Sequence, residues 1–255
     1  MKKKKIIIGV CVVCLVLVRI FTPYLGRPFL IKCYNEDDER SERGYYLSNK
    51  VRSMYFTGAD DPSIKFVRYC SGLEDIMVSD SFLSDIPLDI NDISNPNLKR
   101  IGILTEAVNW SSLNRCTDVD DLGIRADNLN MFEDISGLKK LESLWLYINE
   151  ADSLSKLNEF QNLKRLEIHS QSDIHFEELS NLENLETLYL SSGGKITGFD
   201  KLDSVVELRI YSDQVTEDEL CGMDSLERVT VYHDKLSEKV ESALREKGVI
   251  VNYRD

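Results

Sequence analysis

Histidine is scarce in this chain, three among 255 residues. No dense cluster of Cys and His occurs, which argues against a zinc module. The sequence also lacks G-x-S-x-G and H-E-x-x-H, the nucleophile-elbow and zinc-protease patterns. Positive charge is in deficit: 31 Lys and Arg stand against 44 Asp and Glu, for a net charge of −13. Six of those cations and no acid fall within residues 1–27, so residues 28–255 carry −19. A body that acidic repels phosphate backbones, so no nucleic-acid partner is expected. No cofactor is expected either.

What is present is a folded composition, with 42% hydrophobic and 29% charged residues. The chain opens on Lys2–Lys5 and runs apolar from Ile6 to Val18. Arg19 interrupts, and Ile20, Phe21, Pro23, Tyr24 and Leu25 extend the run to 20 residues, about 30 Å as a helix. No A-x-A-like cleavage site follows convincingly, Gly26 being the best placed small residue. Residues 1–27 are therefore expected to be a cytoplasmic lysine run and a signal-anchor transmembrane helix. The N-terminus stays cytoplasmic and the body extracytoplasmic by the positive-inside rule. Secretion after signal cleavage is the alternative.

A repeat fills the rest. An L-x-x-L-x-L frame, with any aliphatic or aromatic filling the apolar positions, recurs nine times. It begins at Val51, Leu73, Leu98, Val119, Leu141, Leu163, Leu185, Val205 and Leu226. The intervals are 22, 25, 21, 22, 22, 22, 20 and 21 residues. One such triplet means little, but nine in near-constant register identify a solenoid. Each x-L-x-L-x is a short strand with one face in and one face out. A second apolar set (Ile135, Leu138, Leu157, Phe160, Phe176, Leu179, Leu182, Phe199, Leu202) closes each coil on its return. No coil buries its leucines alone, so the array stands together.

Stretches such as Asn162-Leu163-Lys164-Arg165-Leu166-Glu167-Ile168 and Asn184-Leu185-Glu186-Thr187-Leu188-Tyr189-Leu190 resemble the leucine-rich repeat family, in its internalin-like class. The resemblance covers about residues 51–253. It implies an α/β fold: a right-handed solenoid of about nine coils with a parallel sheet on its concave side. The family places Asn eight residues after the first leucine, and only Asn149 matches. Ser81, Glu106, Asp127, Gln171, Gly193, Asp213 and Asp234 stand there in other coils. The 25-residue coil, punctuated by Pro87 and Pro96, is expected to bulge.

An open solenoid needs caps. Residues 28–50 are expected to form an N-terminal cap or linker, with an edge strand at Phe29-Leu30-Ile31 and a solvated turn over 35–40. The repeats occupy 51–235. Residues 236–255 read as a capping helix, starting at Ser237 and stopping at Gly248, and a last strand carrying Val249, Val251 and Tyr253.

Several local patterns are discounted. Gly193-Gly194-Lys195-Ile196 lacks the first glycine and the hydroxyl of a phosphate loop. Asp118–Gly123 has leucine at the fifth position of a calcium loop, and Leu129 stands at its twelfth. His169 reads as an outward strand residue, and His175 and His233 as loop residues, with no metal role. Cys116 and Cys221 fall at convex positions in distant coils, as buried thiols. Cys33 and Cys70 flank the first coil; a disulfide between them would staple the cap of an extracytoplasmic body, and two reduced thiols is the alternative. Asn109-Trp110-Ser111 is a glycosylation sequon, meaningful only in a eukaryotic secretory pathway.

The residues beside the inward leucines point out of the concave sheet. From the fifth coil onward one column reads Trp145, Glu167, Tyr189, Arg209, Thr230. The next reads Tyr147, His169, Ser191, Tyr211, Tyr232, and the preceding one Ser143, Arg165, Thr187, Glu207, Arg228. Earlier coils offer Tyr55, Met77, Arg100, Gly102, Leu104 and Arg125, a less aromatic set. Trp, Tyr and Arg are the types over-represented at binding hot spots, although strands favour aromatics anyway. The expected function is a non-enzymatic, membrane-anchored ectodomain that binds a protein or peptide there. A structural scaffold using the acidic flanks, or a surface inhibitor of immunity type, are the alternatives.

Overall fold

A computed structural model describes residues 32–34, 40–41, 51–56, 64–79, 87–151, 153–179, 182–211, 215–233 and 235–254, the first two segments as backbone only. An antiparallel pair, β1 (Lys32–Tyr34) and β2 (Arg40–Ser41), comes first. Then follow β3 (Ser53–Phe56), β4 (Asp75–Ser79), β5 (Leu88–Asp89), β6 (Arg100–Leu104), β7 (Ala107–Val108) and β8 (Asp121–Ala126). The chain continues through β9 (Ser143–Ile148), β10 (Arg165–Ser170), β11 (Ile174–His175), β12 (Thr187–Ser192) and β13 (Ile196–Thr197). It ends with β14 (Glu207–Tyr211), β15 (Arg228–Tyr232) and β16 (Ile250–Arg254).

The second and third apolar positions of all nine triplets lie on strands of one sheet, and the first sits two residues before each strand. That sheet has twelve strands in the order β16-β15-β14-β12-β10-β9-β8-β6-β4-β3-β1-β2. From β3 to β16 all neighbours are parallel, and their order in space is their order in sequence. Parallel neighbours require a crossover, and here each crossover is one short return of the coil. Register is constant: Leu144 stands beside Leu166, Leu166 beside Leu188, and Leu188 beside Leu208. A slip of one residue would turn each leucine to solvent, so burial of one face holds the register.

The returns are short. Several are 3-10 turns, at Ile64–Tyr69, Trp110–Arg115, Asn130–Glu133, Ser155–Glu159 and Phe199–Lys201. Two are α-helical, α1 (Ile90–Ile93) and α2 (Glu217–Gly222). Two further small parallel sheets, β5 with β7 and β11 with β13, tie consecutive returns together. The second apolar set is wholly buried; Ile135, Leu157, Phe176 and Phe199 have no exposed surface. Strand leucines and return leucines thus form one continuous core. Each buried Leu, Ile or Phe contributes about 1.5–3 kcal/mol relative to exposure. The 25-residue coil carries α1 on its return, with Ile90 and Ile93 fully buried.

Polar groups between coils are satisfied differently from the expected asparagine position. Asn149 is exposed and its amide donates to Asp127 at 2.8 Å. The working ladder sits immediately before the first leucine instead. Asn162 donates to the Lys139 carbonyl at 2.7 Å and Asn184 to the Gln161 carbonyl at 2.8 Å, and the Ser204 hydroxyl donates to the Leu182 carbonyl at 3.0 Å. Where the chain leaves the strands, hydroxyls take over: Ser192 donates to the Ser172 carbonyl at 2.7 Å and accepts from the Gly194 amide at 3.0 Å. In the 25-residue coil, buried Asn95 donates to the Val67 and Cys70 carbonyls.

The last coil closes with α3 (Glu238–Glu246) and β16. Ser237 caps α3 by accepting from the Val240 amide. Val240 and Leu244 turn inward, and the Tyr253 hydroxyl donates to Glu241 at 2.6 Å, fastening helix to strand. At the other end β1 pairs antiparallel with β3, Cys33 beside Met54. The edge strand therefore lies at Lys32–Tyr34, and the Phe29–Ile31 segment lies outside the described residues. So do the expected membrane span and the side chain of Cys33, and with it the pairing with Cys70. Cys70 is buried, which raises its thiol above the ordinary value. Among the described residues no helix is long and apolar enough to cross a membrane.

Candidate binding surface on the open face of the sheet

The three outward columns are aligned by the ladder itself. Trp145 stands beside Glu167, Glu167 beside Tyr189, and Tyr189 beside Arg209. Tyr147 stands beside His169 and Tyr211 beside Tyr232. Arg165 lies beside Thr187, and Glu207 beside Arg228. With strands about 4.8 Å apart, side chains in one column touch.

An aromatic tier results. The Tyr147 and His169 rings are stacked, with centroids 4.5 Å apart and planes within 3°. His169 meets Tyr189 at 5.2 Å, Tyr189 meets Tyr232 edge-on at 5.8 Å, and Tyr232 meets Tyr211 at 5.9 Å. Tyr211 then stacks on His233 at 5.3 Å. Offset and edge-to-face pairs of this kind add about 0.5–1.5 kcal/mol each beyond burial. Glu167 pins His169, its carboxylate 2.7 Å from Nε2. Burial raises the Tyr189 hydroxyl well above the usual phenol range, and its hydrogen bond with Tyr211 adds to the shift. Burial also raises the Tyr147 hydroxyl. These phenols stay neutral and protonated across physiological pH.

Trp145 does not join the tier. Its indole lies back over Gly123, where an added Cβ would come within 2.9 Å of Cε3. Nε1 donates to the Asp121 carboxylate at 2.6 Å. Burial raises the Asp121 carboxyl, and the indole hydrogen bond opposes that rise. Beyond it, Arg100 clasps Asp75 through Nε and Nη2 at 2.5 and 2.6 Å. Trp145, Asp121, Arg100 and Asp75 are thus engaged in pairs of their own, while Tyr55 stays 41% exposed. Met77 lies over Gly102 as Trp145 lies over Gly123.

The C-terminal end carries arginine. Glu207 accepts from Arg209 Nε at 3.0 Å and Nη2 at 2.9 Å, and from Arg228 Nη1 at 3.3 Å. The Glu207 bond raises the Arg209 guanidinium further, so it is permanently charged. These side chains border a pocket of about 420 Å³ lined also by Thr230, Tyr232, Asn252, Tyr253 and Arg254. Burial and the Glu241 hydrogen bond push the Tyr253 hydroxyl up to about 12. Arg165 is exposed on the rim of the face.

Some residues behave differently from their sequence reading. Thr230, expected on the open face, is 6% exposed and forms part of the pocket wall. His175 belongs to β11 rather than a loop, its Nδ1 2.9 Å from the Thr197 hydroxyl, because the return chain pairs there. Cys221 is half-buried at α2, whereas Cys116 is fully buried. Sequence reading places His233 in a loop and Asp121 in a discounted calcium-loop pattern, and assigns neither of them, nor Asn252 or Arg254, to the open face. Asn252 and Arg254 continue the columns of Thr230 and Tyr232 by one strand, so extending the columns into the terminal strand would have found them. Asp121 stands one position before Leu122 in the column of Ser143. Among the described residues no group of three or more His, Cys, Asp or Glu could hold a metal ion.

No protein-family profile matches the sequence, and no curated protein matches it. Solved structures do. The internalin InlF of Listeria monocytogenes is similar over 79% of this chain and 59% of its own, with 19% identity and a TM-score of 0.55. Internalin C2 of the same bacterium is similar over 86% and 88%, with 15% identity and a TM-score of 0.41. A leucine-rich repeat protein of Leptospira interrogans is similar over 73% and 62%, with 12% identity and a TM-score of 0.38. The likeness to InlF shows the fold, a leucine-rich repeat solenoid. The chain spans about 59% of the length of that solved chain.

Proposed function

We propose that this chain is a non-enzymatic binding domain that takes a protein or peptide partner across the C-terminal half of its open face. One observation carries this reading. Strands from consecutive coils place Tyr147, His169, Tyr189, Tyr232 and Tyr211 in an unbroken series of ring contacts, with arginines at its end. None of these side chains belongs to the leucine core, so the fold does not require them. Half-exposed aromatics with arginine are the composition of binding hot spots. The likeness to the internalin InlF of Listeria monocytogenes supports the solenoid on which this surface is displayed.

The test is a cross-linked pull-down with the full chain and its Tyr147→Ala/Tyr189→Ala/Tyr211→Ala variant, each checked by circular dichroism. Hot-spot truncations cost about 2 kcal/mol or more apiece, so the variant should lose its partner. Equal capture by both proteins would sink the open-face reading and bring forward a scaffold that uses the acidic flanks.

The reading extends to the N-terminus: Lys2–Lys5 and the apolar run Ile6–Leu25 serve as a signal anchor that holds the repeats outside the membrane. Carbonate extraction and external protease check this. The chain should stay in the membrane pellet, and its repeats should be accessible from outside.

A further inference from the structure

The C-terminal end of the open face reverses the charge of the molecule. Residues 28–255 carry −19. Yet Arg209, Arg228 and Arg254, from three successive strands, border one pocket with a single carboxylate, Glu207. The lining side chains therefore sum to two positive charges, with Glu167 the next carboxylate along the face toward Arg209. The solenoid core does not demand this: Arg209, Arg228 and Arg254 are exposed and line the pocket. Like charges held this close oppose folding unless something offsets them.

Glu207 already shows what the arginines accept. Its carboxylate receives two hydrogen bonds from Arg209 and one from Arg228. A guanidinium fork matches a carboxylate in this way, by paired N–H donors. Arg209 spends Nε and Nη2 on Glu207, and Arg228 spends Nη1. Arg209, Arg228, Arg254 and exposed Asn252 line the same space, and between them they carry further N–H donors.

We propose that this pocket anchors an acidic peptide, taking the side-chain carboxylate of an Asp or Glu, with the neighbouring peptide residue lying on Tyr232 and the tyrosine tier. Three features select this occupant. A volume of about 420 Å³ suits one or two side chains. The Debye length is about 8 Å at physiological salt, so a single carboxylate in the pocket feels the arginines and little of the acidic body. A long polyanion would extend beyond the pocket over that acidic body and be repelled. Tyr232 then links the pocket to Tyr189 and Tyr211, so the anchor and the aromatic surface form one continuous track.

The inference rests on the open-face reading, and the experiment separates the two. The full chain, in non-ionic detergent, is panned against a displayed random heptapeptide library. Selected peptides should be enriched in Asp and Glu, with an aromatic or large apolar residue within two positions. A synthetic peptide from the winning set should bind at least tenfold more weakly to Arg228→Gln/Arg254→Gln. It should weaken as much when its own acids become Asn or Gln, and Lys164→Gln should leave binding unchanged. Both arginines are exposed, so the double variant should keep the parent melting temperature. Arg228→Lys/Arg254→Lys should recover part of the affinity, because charge returns without the fork. Binders without acidic enrichment, or equal binding to the Gln double variant, overturn the arginine anchor. If those binders are lost by the Tyr147/Tyr189/Tyr211 variant, the open-face reading survives. A library that yields no binder, or only binders indifferent to that variant, overturns both. A phosphoserine peptide binding tenfold tighter than its Glu counterpart would overturn the carboxylate and replace it with a phosphoryl group.

Discussion

Trp145 was legible in sequence as an outward residue, but its resting place was not. The side chain crosses to the preceding coil, lying on Gly123 and bonding Asp121, residues 22 and 24 positions earlier. Only the absence of a side chain at Gly123 permits this. Gly123→Val should expel the indole and destabilise the fold by about 1–3 kcal/mol, the usual cost of overpacking. In a Trp110→Phe background, urea titration and a red shift of the Trp145 emission would check it; an unshifted spectrum would contradict the packing. Asp121 supplies a pH prediction. Burial raises its carboxyl, so ionisation is harder in the folded state than in the unfolded chain. Its contribution is therefore unfavourable above the raised value and fades as pH falls toward the ordinary Asp value. Asp121→Asn should stabilise the protein near pH 7, with the gain shrinking toward pH 4. Melting temperatures across that range decide it. The asparagine ladder was misplaced for a related reason. Sequence position eight holds Asn149, yet Asn162 and Asn184 reach the carbonyls of the coil before. Their spacing of 22 residues was visible; their direction needed coordinates.

At the scale of elements, apolar periodicity carried the strands, because each must bury one face in two. The returns were harder to read. Their buried residues were visible, but nothing in Phe176–Leu182 or Ser155–Glu159 distinguishes a 3-10 turn from an irregular loop. Hence β11 and β13 escaped notice, two-residue strands made by neighbouring returns lying side by side. The closing helix was visible because it carries its own start signal. Ser237 accepts from the Val240 amide, and Val240 and Leu244 fill the inward face. Ser237→Ala should cost about 1 kcal/mol, the usual value of an N-cap. Hydrogen exchange should show the loss first in α3 and β16, because Glu241 and Tyr253 join them. Uniform acceleration along the whole chain would instead mean that the cap is not a separate unit.

At the scale of the molecule, all ten parallel strands share one core, and each coil packs chiefly on its two neighbours. Stability is then a sum of coil and interface terms, and a central coil has two interfaces to lose. Leu166, fully buried between Leu144 and Leu188, is such a position. Leu166→Ala should cost about 2–5 kcal/mol. Leu226→Ala, nearer the end and 6% exposed, should cost less. Chemical denaturation of both variants tests the order; a reversed order would show that the terminal coil holds the array together. The architecture was legible because it repeats. The site was legible only as columns, since which rings meet depends on rotamers that spacing does not encode.

The constant register has a consequence for how such a molecule can change size. Ser143 aligns with Arg165 on one side and with Asp121 on the other. Excising the 22 residues between equivalent points of β9 and β10 would therefore set β10 against β8 with every leucine still opposite a leucine. Length becomes a discrete variable, altered in increments of one coil and about 4.8 Å of track. A gene that duplicates or drops such a unit resizes its ruler without redesigning either end.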